Sequence, residues 1–303
     1  MSMHGLSQHC QSHCAGFKGH EVFKSFLDLK LTMYPTKYHK ANSLQEAFEL
    51  YKSSQDASFL SGGHTLLPVM KQGLAAPSDL IDLSFIDELR GIEVTPQTVV
   101  ISSMTRHMEV ASNKDVIRAV PCLAALAGSI GDRQVRFKGT IGGSLANNDP
   151  AADYPAGFLG LGGHVETNLR SIAAEEFFVS MFQTALKPGE IIKRVHLSIA
   201  KSAGYAKFRA AAARYSMVGV FVARTELGTR VAVTGAGQSG VYREKSLEAA
   251  LDQQFDATSL ESIQISSQDL IEDMHASSLY RANLIKVLAK HAVLNMGGLV
   301  NLK

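Results

Sequence analysis

The sequence predicts a mixed fold, α/β or α+β, with room for more than one domain. Three observations predict it. Short apolar strand candidates alternate with short helical patterns, as they do when helices cover a sheet. A length of 303 residues with 46% hydrophobic residues is enough for two packed domains, or one large domain with an appendage. Glycine pairs punctuate the pattern, and those at 62–63 and 142–143 are each flanked by hydroxyl residues.

Taken in order, residues 1–32 are an atypical extension, expected to be poorly ordered. His4, His9, Cys10, His13, Cys14 and His20 crowd into it and sketch a metal site. Such spacings arise readily in His-rich tracts, so the expectation is a tail without metal, with Met33 a natural start. The stretch lacks the apolar core and basic leader of a secretory signal.

Residues 43–53 read as a helix, with Leu44, Ala47, Phe48 and Tyr51 on one face. Asn42 or Ser43 can cap it, and Glu46 completes a capping box with Ser43. A strand at 57–60 runs into Ser61-Gly62-Gly63-His64-Thr65, and a short helix with Leu66, Leu67, Val69 and Met70 follows. Strands are expected at 80–83 and 99–101, with a helical turn at 85–89 between them. Residues 116–130 read as one helix despite Pro121. Then comes the most glycine-rich stretch, around Thr140-Ile141-Gly142-Gly143-Ser144. Beyond Pro155 the pattern gives a helix, a strand, and a helix at 174–182. A turn at 187–190 precedes a strand at 191–199. A domain boundary is expected near 202–204. Strands at 218–224 and 231–235 lead to a helix at 279–294, with Leu284, Val287, Leu288, His291 and Leu294 in phase. No internal repeat is visible.

Thirty basic against 28 acidic residues give a formal charge of +2, so nothing electrostatic calls for nucleic acid or an anionic membrane. No apolar run reaches membrane-span length. A soluble protein is expected. Three cysteines, Cys10, Cys14 and Cys122, argue against a disulfide framework and fit a reducing, cytoplasmic compartment. They are also too few for an iron–sulfur cluster ligated by thiolates alone.

The glycine pairs at 62–63 and 142–143 carry the chemistry. Glycines free the backbone so that N–H groups can converge on one point, and such a nest binds an anion. Ser61 to Thr65 and Thr140 to Ser144 both pair two glycines with flanking hydroxyls, which suits a diphosphate. Neither is a Walker A loop, since no Gly-Lys-Ser/Thr occurs, and neither has the Gly-x-Gly-x-x-Gly spacing. Asp149 and Asp153 could accept hydrogen bonds from ribose or ribityl hydroxyls, or serve turn and capping chemistry.

These residues resemble a known family. Ser61-Gly62-Gly63-His64-Thr65-Leu66-Leu67-Pro68 is similar to the first flavin loop of medium subunits of molybdenum hydroxylases, such as aerobic carbon monoxide dehydrogenase and xanthine dehydrogenase. Gly139 to Ala146 followed by Asp149-Pro150-Ala151-Ala152-Asp153 is similar to their second loop. Gly131-Asp132-Arg133-Gln134-Val135-Arg136 and Leu186-Lys187-Pro188-Gly189-Glu190-Ile191-Ile192 match as well, and the likeness runs from Tyr34 to Met296.

The resemblance implies an α+β fold: a two-lobed FAD-binding domain of the vanillyl-alcohol oxidase type at 33–203, and a small α/β C-terminal flavoprotein domain at 204–303. It implies non-covalent FAD with its diphosphate between Ser61, Gly62, Gly63, His64, Thr65 and Thr140, Ile141, Gly142, Gly143, Ser144. Asp153 would hold the sugar or ribityl portion, Ile191 or Ile192 would pack near the ring, and Lys207 and Tyr215 match cofactor-side positions. His64 reads as a loop residue, not a covalent anchor. Where relatives carry several basic residues and an Asp, this chain has alanine from 210 to 213. The implied partners are a large molybdenum-cofactor subunit and a small [2Fe–2S] subunit, assembled as a dimer of heterotrimers. Electrons would pass from the clusters through FAD to an external acceptor. No catalytic residue and no metal ligand is expected on this chain. A free-standing FAD-dependent oxidoreductase and a flavin-free assembly scaffold are the competing readings.

Overall fold

The computed structural model describes residues 35–210 and 214–302. The His- and Cys-rich extension at 1–32, with its sketched metal site, lies outside the described residues.

The first lobe opens with β1 (Lys37–Lys40), α1 (Leu44–Ser53), β2 (Ala57–Leu60), α2 (Leu66–Lys71) and β3 (Asp79–Asp82). The three strands are parallel in the order β1-β3-β2. Ala47 on α1 packs with Ile81, Leu83, Ile86 and Leu89 into a small core. The cap of α1 differs from expectation in one respect. Ser43 Oγ accepts from the Glu46 N–H at 3.1 Å, but Glu46 Oε2 accepts from the N–H of Asn42, at 2.8 Å, rather than from that of Ser43.

The second lobe begins with β4 (Ile92–Val94) and β5 (Thr98–Ser102). Helices α3 (His107–Ser112), α4 (Lys114–Ala119), α5 (Pro121–Gly128), α6 (Arg133–Lys138), α7 (Ile141–Asn147) and α8 (Tyr154–Leu161) follow. The single helix expected over 116–130 is therefore two. Pro121 lacks an N–H and starts α5 at its first turn, where that N–H would have no partner anyway. Next come β6 (Gly163–Thr167), β7 (Ser171–Ala173) and α9 (Ala174–Phe177). The helix expected to reach 182 stops at Phe177. β8 (Phe178–Ser180) instead pairs with β9 (Gln183–Thr184), and Asn148 Nδ2 donates to the carbonyls of Ser180 and Gln183 to hold that hairpin. β10 (Ile192–Ser198) completes an antiparallel sheet in the order β4-β5-β10-β6-β7.

The C-terminal part contains β11 (Ser202–Arg209), β12 (Ser216–Thr225), β13 (Gly228–Thr234), β14 (Tyr242–Arg243), α10 (Lys245–Gln253), α11 (Ser278–Leu294) and β15 (Leu299–Leu302). The sheet order is β14-β13-β12-β11-β15, with β15 parallel to β11. Side chains alternate across it. Tyr205, Phe221, Ala223 and Ala232 join the core of the second lobe, while Val218, Val220, Val222, Val231 and Val233 pack with Ile285, Leu288 and Ala289 of α11. Burial on both faces explains why β12 reads as an almost unbroken apolar run. The buried residues of α11 are Arg281, Ala282, Leu284, Ile285, Leu288, Ala289 and Ala292; Leu284 and Leu288 keep the predicted phase, Val287 and His291 are half-buried, and Leu294 is 69% exposed.

A candidate dinucleotide cavity

The loop after β2 and the loop before α7 meet back to back. A Cβ on Gly62 would lie 2.3 Å from the Lys138 carbonyl oxygen and 2.8 Å from the Gly139 α-carbon. Ser61 Oγ and Thr140 Oγ1 join the loops at 2.6 Å. Gly63 takes φ +73°, a left-handed conformation that glycine adopts without penalty. A cavity of about 520 Å³ opens in front of both loops.

The two loops are not equivalent. Among the described residues, the backbone N–H groups of Gly62, Gly63, His64, Thr65 and Leu66 have no acceptor, and all five residues line the cavity. Such N–H groups, on a glycine loop that leads into a helix, are free to converge on an anion. The second loop was expected to be a similar nest, but its N–H groups from Ile141 to Ser144 are already taken. Ile141 N–H donates to the Thr105 carbonyl at 3.1 Å and Gly142 N–H to the Ser103 carbonyl at 2.9 Å. Gly143 N–H donates to Thr140 Oγ1 at 3.1 Å. The reason is packing: the turn after β5 runs alongside this loop, and a Cβ on Gly142 would meet Ser103 Cβ at 2.5 Å. The second loop therefore presents a flat glycine surface, the Ser144 hydroxyl and the Asn147 side chain to the cavity.

Ile141 and Lys207 lie outside the cavity lining; the other predicted positions, Asp153, Ile192 and Tyr215 included, line it. Ile141 is a core residue of the second lobe. Lys207 is fully buried and pairs with Asp153, at 2.9 Å to Oδ2 and 3.0 Å to Oδ1. Asp153 Oδ1 also accepts from Tyr205 Oη at 2.5 Å and Ser216 Oγ at 2.7 Å. Asp153 stands at the start of α8 but caps none of its N–H groups; its carboxylate ties α8 to β11 and β12. Asp149 behaves as turn chemistry predicts, its Oδ1 accepting from the Ala151 N–H at 2.9 Å, and burial raises its pKa.

The wall carrying Ile191 and Ile192 is fixed by Glu190. Its carboxylate accepts from Arg170 Nε at 3.0 Å, Thr167 Oγ1 at 2.8 Å and the Lys187 N–H at 2.8 Å. Burial works against ionisation of Glu190, but these donors outweigh it and leave the carboxyl below its usual range. Asn168 Oδ1 accepts from the Ile191 N–H at 2.8 Å, which sets that backbone.

Several lining residues carried no sequence signal: Ser103, Met104, Asn147 and above all His107. His107 is buried, and burial first, then the neighbouring His64 and Arg136, pushes its pKa down to about 3, so the imidazole is neutral. Its position in Thr105-Arg106-His107 follows no ligand spacing that would have marked it.

The cavity thus combines an open set of N–H donors with hydroxyls and an apolar wall, which fits a dinucleotide diphosphate with an attached ring. Residues 32–198 match the family model described as the FAD binding domain in molybdopterin dehydrogenase. The chain is 31% identical over 276 residues to the carbon monoxide dehydrogenase medium chain of Hydrogenophaga pseudoflava, covering 85% of this chain and 95% of that one. It is 29% identical to the nicotine 6-hydroxylase medium subunit of Paenarthrobacter nicotinovorans, covering 86% and 97%. It superposes on a chain of quinoline 2-oxidoreductase from Pseudomonas putida 86 with a TM-score of 0.77 at 25% identity, covering 86% and 95%.

Proposed function

From the fact that this chain belongs to the family of FAD-binding domains of molybdopterin dehydrogenases, we propose that it passes electrons from [2Fe–2S] clusters of a small partner subunit, through non-covalently bound FAD, to an external acceptor. It is an oxidoreductase subunit of a molybdenum hydroxylase. Substrate oxidation then belongs to a large partner subunit with the molybdenum cofactor, and the assembly is a cytoplasmic dimer of heterotrimers. Residues 33–203 form the cofactor-holding domain and 204–303 the C-terminal domain. Carbon monoxide, nicotine and quinoline name the relatives reported above, so the substrate is not a property of this subunit's fold.

The observation that carries the reading is the row of unpartnered N–H groups from Gly62 to Leu66 at the mouth of the cavity. These groups, with the Thr65 and Ser144 hydroxyls, would hold the diphosphate. Asp153, Ile192 and Tyr215 would face the sugar and ring portions. FAD supplies the electron-carrying chemistry, and the chain's task is to bind, orient and shield it. No acid or base on this chain is needed for bond breaking.

The test has two stages. The wild-type chain should take up FAD and show flavin absorbance, and Gly143→Val, which puts a branched side chain on the cavity wall, should lose it. In the assembled complex under anaerobic conditions, carbon monoxide, a purine, an aldehyde or an N-heterocycle should bleach the flavin, whereas the isolated FAD-loaded chain should respond to none of them. Bleaching by the isolated chain would establish a free-standing oxidoreductase. A folded chain that takes up no FAD, alone or in the complex, would leave the scaffold reading.

A further inference from the structure

We propose that His107 is an additional cofactor-binding residue, donating a hydrogen bond from Nε2–H to the anionic diphosphate in the cavity. The proposal rests on the reading of that cavity as the FAD site. It starts from an unpaired group. The imidazole lines the cavity, the residue is 5% exposed, and Nδ1 is buried without a partner. Nε2 likewise has no partner among the described residues. Native structures seldom leave both nitrogens of a buried ring unused, and Nε2, which is not among the sealed atoms, is the one still open to a partner.

Position gives the ligand chemistry. His107 N–H donates to the Gly139 carbonyl at 2.9 Å, which seats the residue behind the second loop. A Cβ on Gly139 would lie 2.5 Å from Nε2, and one on Gly62 would lie 2.8 Å from the Gly139 α-carbon. The ring nitrogen therefore lies against Gly139, the residue that Gly62 of the first loop touches, and all three residues line the cavity. The Lys138 and Val135 carbonyl oxygens also lie at this contact, but the N–H groups of Gly62 to Leu66 line the same cavity as the ring, and an Nε2–H adds one more donor for an anion.

The tautomer follows from the same burial. A neutral imidazole has one N–H and one bare nitrogen. An unpaired buried N–H is the rarer and more costly orphan, so the sealed Nδ1 is the bare nitrogen and the proton sits on Nε2. The Tyr154 ring, 5.3 Å away between centroids, packs against the imidazole and fixes its plane. Among the described residues no group of three or more His, Cys, Asp or Glu side chains could hold a metal, so metal ligation does not account for the ring.

Dissociation constants for FAD, ADP and riboflavin, measured on the full chain, test the proposal. His107→Leu should weaken FAD and ADP by the same factor, about tenfold or more as for loss of a hydrogen bond to a charged group, and leave riboflavin unchanged. His107→Gln, which can return an N–H close to the Nε2 position, should recover most of the loss. In the wild type, nitrogen-15 resonances of the ring should report an Nε2–H tautomer that shifts on adding ADP, a readout that needs no variant to fold. FAD and ADP binding unchanged in His107→Leu, or FAD weakened with ADP untouched, would overturn the contact. So would an Nδ1–H tautomer. A folded wild type that binds neither FAD nor ADP would overturn the cavity reading beneath it instead.

Discussion

Gly62 shows how little space separates the two loops. Its missing side chain is where the Lys138 carbonyl approaches, at 2.3 Å from an added Cβ. Gly62→Ala forces the loops apart, disturbing both the Ser61–Thr140 hydroxyl pair and the N–H row that faces the cavity. Overpacking of this kind costs about 1–3 kcal/mol. The expected outcome is a stability loss in that range by urea unfolding together with at least a tenfold loss of FAD affinity. Gly73→Ala is the control. Gly73 also has a positive φ, +71°, but an added Cβ would meet nothing within 4 Å. It should lower stability by about 1–2 kcal/mol through backbone strain and leave FAD affinity unchanged. Equal loss of affinity in both variants would show that close approach of the loops is irrelevant.

At the scale of elements, α8 is the piece that everything else holds. All of its residues are buried, and Asp153 at its start is bonded by Tyr205 and Lys207 of β11 and Ser216 of β12. Ser216 directly follows Tyr215, so the same cluster places the tyrosine that lines the cavity. The Asp153–Lys207 pair is buried, and removing one partner strands a charge away from water, at a cost of about 3–5 kcal/mol. Lys207→Met should therefore destabilise the chain by that amount in urea unfolding, and adding Asp153→Asn should recover part of it. A double variant no better than the sum of its two single variants would mean the pair is not coupled.

At the scale of the whole molecule, the C-terminal sheet does not stand apart from the lobe that precedes it. Tyr205, Phe221, Ala223 and Ala232 share a core with Phe158 and Leu161 of α8, while the opposite face of the sheet is closed by α11. Shared burial couples unfolding. Calorimetry should give a single transition for the second lobe and C-terminal sheet, and a chain cut after Ala203 should fail to fold because α8 loses its cover. Two well-separated transitions assigned to these parts would contradict that coupling.

The sequence by itself determined the elements whose cause is local. Short apolar runs marked β5 and β13, the Ser43 cap marked the start of α1, and the two glycine-hydroxyl loops marked two stretches that line one cavity. Tertiary structure decided whatever depends on which surface a residue meets. Pro121 split one predicted helix because its place as a first-turn residue emerges only when α4 and α5 pack separately. The buried face of α11 widened from Leu284 and Leu288 to Ala282, Ile285, Ala289 and Ala292 because the helix lies across a sheet rather than against a single neighbour. Two loops of nearly the same composition diverged because Ser103 and Thr105 reach only the second, taking the N–H groups of Gly142 and Ile141, while Thr140 takes those of Gly143 and Ser144 and those of the first loop stay open. Lys207 turned inward to Asp153, and His107 came to the cavity, because burial and hydrogen-bond partners are fixed by distance in space rather than by spacing along the chain.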